Sequence, residues 1–248
     1  MNESIVRKTK LFGAWCGLAY MVLVLTAWFG IAGYFPLHPP SAPADQIASF
    51  YRHDQVWIKL GMVIIMWAAA VFLPFVATIA DFVARFEGRN GPLTRIITLA
   101  GYGNAMLTFY PPLWWIVAAF RGEQRSADLT YLVNDVGWLQ FVGGLSLVMP
   151  MYGVVAVVAL TDTSENPAFP RWFGYQSIMT FLLLLPDQML FFFKTGPFAW
   201  NGILGFWIPV TVFGVWFVTM FVLMRRAALR ELRTSEPVPS SSKLAMSS

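Results

Sequence analysis

The chain has 248 residues, of which 57% are hydrophobic, 17% aromatic and only 12% charged. Soluble domains carry about a quarter charged and under half apolar residues, so an ordinary water-soluble enzyme is excluded. The net charge of +4 comes without a basic stretch interleaved with aromatics, which gives no reason to expect a nucleic-acid partner.

Residues 1–10 form a short basic segment with Arg7, Lys8 and Lys10. The apolar run behind it is too long for the hydrophobic core of a signal peptide and has no small-x-small cleavage site, so it predicts an uncleaved helix. Taking about 20 residues as the length needed to cross a bilayer, apolar runs fall near 11–33, 57–80, 96–120, 136–160, 172–193 and 202–224. Their unbroken hydrophobicity fits helices and lacks the alternation of barrel strands. The expectation is an all-α, polytopic membrane protein: a six-helix transmembrane domain over 11–224 and a basic, then disordered, tail over 225–248.

An even number of spans puts both termini on one side, and the distribution of basic residues says which. Arg7, Lys8, Lys10, Arg85, Arg89, Arg95, Arg171, Arg225, Arg226, Arg230, Arg233 and Lys243 fall on the side of the termini; Arg52, Lys59, Arg121, Arg125 and Lys194 fall on the other. The positive-inside rule makes both termini cytoplasmic, in a plasma membrane of bacterial inner-membrane type, with membrane lipids as partners.

The lone Cys16 excludes a disulfide framework and reads as a small core side chain. His38 and His53, the only histidines, share one loop; neither a metal site nor a haem or other cofactor site can be assembled around them. Segments 50–115 and 131–191 echo one another. Asp54 and Trp57 match Asp135 and Trp138, and Asp81 and Asp162 each follow the tryptophan by the same interval. This is either a parallel duplication of a helical hairpin or chance. In both readings Asp54 and Asp135 have a plain role at helix starts, where carboxylates accept from free backbone N–H groups.

The fifth run is unusual. Phe181 to Phe193 places Pro186-Asp187-Gln188 among strongly apolar residues. At 1.5 Å per residue, Asp187 lies about 24 Å from Arg171 and about 10 Å from Lys194 along the helix, in the outer third of the bilayer. An ionised Asp at a helix centre costs about 2.5–3.5 kcal/mol on insertion scales, less toward the interface, so it should face the bundle and have a partner. Lys59, Tyr110, Asp135, Gln188 and Lys194 stand at similar depth, and Gln140 and Asn104 are further polar residues within spans. Trp114, Trp115, Phe109, Phe191 to Phe193, Trp200, Phe206 and Trp207 offer aromatic walls. Interhelical hydrogen bonding and an outward-facing pocket are both open readings of this layer.

No nucleotide-binding, serine-hydrolase or zinc-protease motif occurs. Three functions stay open. The leading one is binding, with transport as its extension, of a small lipophilic or amphipathic molecule by Asp187, Gln188, Lys194, Tyr110, Asp135, Lys59, Trp114 and Trp115. The second is a membrane-embedded isomerase or cyclase with Asp187 as its catalytic general acid. The third is a structural subunit docked on another membrane protein.

Overall fold

The structure, a computed structural model, describes residues 3–167 and 169–233; the tail from 234 onward, including the expected disordered segment, lies outside the described residues. Those described form helices and no strand. In chain order they are α1 (Glu3–Leu25), α2 (Ala44–His53), α3 (Gln55–Glu87), α4 (Pro92–Phe120), α5 (Ala127–Phe141), α6 (Met149–Thr161), α7 (Arg171–Leu184) and α8 (Ile208–Arg233). Four stretches, Lys8–Ile31, Gln55–Glu87, Ala127–Thr161 and Ile203–Arg230, are long and apolar enough to cross a membrane. The helices run past the apolar windows at several ends. Asp81 to Glu87, for example, continue α3 because helix propensity does not need hydropathy.

Helix α2 sits where the sequence predicts only a loop. It is too short and too polar to register as a span. Its buried Ile47, Ala48 and Tyr51 nonetheless recur at helical spacing, and Asp45 stands in its first turn. The presumed helix-start aspartates also need correction. Asp54 does precede α3, but its side chain caps nothing. Asp135 lies well inside α5, whose N-terminus is capped instead by Ser126 accepting from the Leu129 N–H.

Helices α3 and α4 pack along their lengths; α1 lies against α3 and α8, α4 against α5, and α6 against α7. Two small residues set how closely these rods approach. A Cβ added to Gly13 of α1 would collide with the Thr78 hydroxyl and come 2.7 Å from the Pro74 carbonyl oxygen, and one on Gly137 of α5 would strike the Trp115 indole. At the end of the bundle that holds the start of α1 and the end of α3, Lys10 pairs with Asp81 at 3.0 Å and the Arg85 guanidinium lies 4.4 Å from the Phe82 ring centroid. We call this the basic end. Cys16 is buried in the core, and large apolar side chains such as Trp67, Leu99 and Phe192 are about three-quarters exposed along the outside, as on a lipid-facing surface.

Toward the opposite end, four rods leave α-helical geometry. Thr26–Ile31 and Ile203–Trp207 are π-helical, and Gly143–Leu147 and Leu185–Phe191 are 3-10 turns. Sequence explains much of this. Pro186 cannot donate to the Leu182 carbonyl, which accepts from the Leu185 N–H instead, tightening the turn. Pro209 follows one π segment, and the Gly143-Gly144 pair opens the other 3-10 turn.

Candidate functional site

The irregular layer surrounds an aromatic cluster. Trp28 stands 5.8 Å from Trp115, 5.5 Å from Trp138, 4.7 Å from Phe141 and 5.6 Å from Phe206, measured between ring centroids. Trp200 stacks on Trp138 at 5.7 Å with planes 7° apart, and Tyr34 lies 5.1 Å from Trp115. Aromatic pairs at such distances contribute roughly 0.5–1.5 kcal/mol each beyond burial.

Residues 32–54 form a strap over this cluster. The Tyr34 and Tyr51 hydroxyls are 2.8 Å apart, and Tyr51 donates to the Asn134 side-chain oxygen at 2.9 Å, so Tyr34 donates to Tyr51. Asn134 in turn donates to Asp135 at 3.5 Å. Burial pushes both phenols well above their ordinary pKa range, which keeps them as neutral donors. Three further bonds fasten the strap: Trp200 to the His38 carbonyl at 2.9 Å, Tyr131 to the Pro40 carbonyl at 2.8 Å, and Arg52 to the Gly122 carbonyl at 3.1 Å. His53 is the last residue of α2, and His38 lies in the strap against Phe50. Among the described residues no group of three His, Cys, Asp or Glu could hold a metal ion.

Beneath the cluster, between the pair α1–α8 and the pair α4–α5, lies a cavity with about 90 Å³ of room for water-sized guests. Its walls are apolar, with Met21, Val24, Leu107, Phe141, Phe206, Val210 and Phe213 prominent, and Trp28 closes it toward the cluster. One corner is polar. The Tyr20 and Thr108 hydroxyls are 2.9 Å apart, Asn104 donates to Tyr20 at 3.3 Å, and Thr108 donates to the Asn104 backbone carbonyl at 2.9 Å.

Asp187 is fully buried on the 3-10 turn Leu185–Phe191, and neither carboxyl oxygen has a hydrogen-bond partner. Gln188, beside it, donates to the Gly143 carbonyl at 3.1 Å and not to the carboxyl. The turn packs on Gly143–Leu147 and Ile203–Trp207, so Asp187 belongs to the layer that borders the cavity without lining it. The Trp28 and Trp115 indole N–H groups are likewise buried without acceptors. Buried polar groups are nearly always paired, which makes this concentration of orphans the chemically unusual feature of the layer.

The other residues singled out from sequence scatter. Trp115 is buried in the cluster, whereas Trp114 is exposed and donates to Gln140 at 2.6 Å. Tyr110, Phe191 to Phe193 and Lys194 are exposed, Lys59 is half-buried, and Asp135 ends the tyrosine chain. None of the eight ligand-binding candidates lines the cavity. Tyr20, Trp28, Thr108 and Phe141 do, and sequence reading passed over them. Their signal was faint: a tyrosine inside the first apolar run, and Asn104 and Thr108 one turn apart inside the third. The chain matches no protein-family model, no curated protein and no solved structure, so its own residues carry the functional reading.

Proposed function

We propose that this is a six-span protein of a bacterial-type plasma membrane, with both termini on the basic, cytoplasmic side, that binds and carries a small lipophilic or amphipathic molecule. The two spans beyond the four most apolar ones are α4 and α7 with its 3-10 continuation. Each is long enough, α4 at 29 residues and the latter reaching Phe191. The distribution of Lys and Arg supports the orientation.

The observation that carries the reading is the cavity between the two helix pairs, with its apolar walls and single polar corner. Ligand sites are concave and mostly apolar, with few polar groups to orient the guest. An engineered apolar cavity of about 150 Å³ admits benzene, so a single-ring guest enters this one with small movements of Met21 and Leu107, and a larger guest requires the helix pairs to part.

Val142 and Phe206 line the cavity and flank or belong to the segments on which the Asp187 turn packs. When a guest displaces this wall, its polar group reaches Asp187. A lone carboxyl with no cation beside it selects a hydrogen-bond donor or a positive charge and rejects an anion.

Benzene, phenol, benzylamine and benzoate, titrated against the purified full chain in detergent, test this by saturable thermal stabilisation. Phenol and benzylamine should bind better than benzene, and benzoate not at all. Asp187→Leu should erase the preference for donors, and Val210→Trp should block the series. Absence of saturable binding, or binding unchanged by Val210→Trp, would refute the reading. Conversion of a lipophilic substrate that Asp187→Asn abolishes would establish catalysis in its place.

A further inference from the structure

Far from the aromatic cluster, the basic end carries a second concavity. Leu223, Arg226, Ala227 and Arg230 recur at i, i+3, i+4 and i+7 and so form one face of α8. This face borders a cleft of about 320 Å³ whose other side is Glu165, Asn166 and Trp172. Opposite charges therefore line one space, yet Arg226 and Glu165 form no ion pair with each other or with any described residue. The guanidinium fork suits a phosphate, and the carboxylate suits an ammonium. Trp172, about half exposed, offers an aromatic face to the same cation.

A second feature leads away from the cleft. Trp172, Tyr175, Met179 and Leu182 are exposed at spacings of three, four and three residues, so they make a continuous apolar stripe along α7 that begins at the cleft. A free zwitterion would have no use for such a stripe; the acyl chains of a lipid would.

We infer that this cleft and stripe bind a phosphatidylethanolamine molecule, with phosphate on Arg226, ammonium on Glu165 and Trp172, and acyl chains along α7. Ethanolamine is favoured over choline because its primary ammonium can donate to the carboxylate, which a trimethylammonium cannot. Glu165 also disfavours a purely anionic headgroup such as phosphatidylglycerol. The inference requires the chain to sit in a bilayer but is independent of the cavity's guest, so failure of the benzene series leaves it standing.

The test is native mass spectrometry of the full chain released from nanodiscs that contain ethanolamine, choline and glycerol phospholipids of identical chains in equal amounts. The ethanolamine lipid should be retained about tenfold over the others, as expected for one charged, partly desolvated hydrogen-bonded pair. Arg226→Gln should remove that enrichment, while Arg225→Gln, one residue away and outside the cleft, keeps it. Glu165→Gln should turn the preference toward the glycerol lipid. Unchanged thermal midpoints confirm that the variants fold. Preference of the unmodified chain for the glycerol or choline lipid would overturn the inference. So would an order unaffected by Glu165→Gln, or free phosphoethanolamine binding as tightly as the lipid.

Discussion

The two ends of the bundle solve different problems. At the basic end the rods stay α-helical, glycine and threonine let α1 and α3 touch, and Lys10 pairs with Asp81. At the strap end four rods turn π-helical or 3-10, bulky rings replace small side chains, and four of the five buried orphan atoms among the described residues belong to Asp187, Trp28 and Trp115. Close regular packing stabilises; a layer of broken helices and unpaired polar groups does not, and it persists only where the surrounding structure compensates. The difference teaches that stability should reside at the basic end and ligand response at the strap end.

Changes at the basic end should therefore have the largest effect on stability. Gly13→Leu drives a side chain into the α3 backbone and should cost more than about 3 kcal/mol, visible as lost monodisperse yield and a large fall in thermal midpoint. Gly153→Leu, where an added Cβ meets nothing within 4 Å, should shift the midpoint little. Similar losses from both would dissolve the distinction.

At the strap end the sign should reverse. Asp187→Leu removes a buried carboxyl whose oxygens bond to nothing, so it should raise stability by about 1–3 kcal/mol in chemical denaturation, while erasing the preference for donor guests. A destabilised Asp187→Leu protein would mean that the carboxyl is holding the fold together.

Tyr51→Phe should come next. It breaks the bonds to Tyr34 and Asn134 and should cost about 1–2 kcal/mol, with faster amide exchange confined to the strap 32–54 and no change near Lys10.

The smallest effect belongs to His38, whose pKa is lowered by partial burial. A folded-state value below the unfolded one means that its stability contribution is complete above about pH 6.5 and is lost as pH falls through the folded value. The slight acid-side drop in thermal midpoint should vanish in His38→Gln, which keeps the backbone carbonyl that Trp200 uses.

Much of the scaffold was legible in the sequence, because long apolar runs leave a chain few alternatives to helices. Span ends were less legible, since α3 runs on through charged residues to Glu87. Asp187 stood out because an acid among leucines and phenylalanines is costly wherever it points. The cavity did not stand out. In the cluster that borders it, Trp28, Tyr34, Trp138 and Phe141 look like ordinary interfacial aromatics in a linear reading, and only tertiary packing gathers them from three separate segments. Helix α2 escaped for a related reason: it covers the cluster from outside the apolar runs, and its partners lie at Gly122 and Asn134, far along the chain.

Crystals soaked with 4-bromophenol provide the most direct check on a guest site inside the bundle, because anomalous scattering locates the bromine without assumptions about affinity. The account predicts one bromine between Met21, Leu107, Phe141 and Phe213, absent in Val210→Trp. Bromine found only on the lipid-facing surface, or retained in the same place by Val210→Trp, would contradict it.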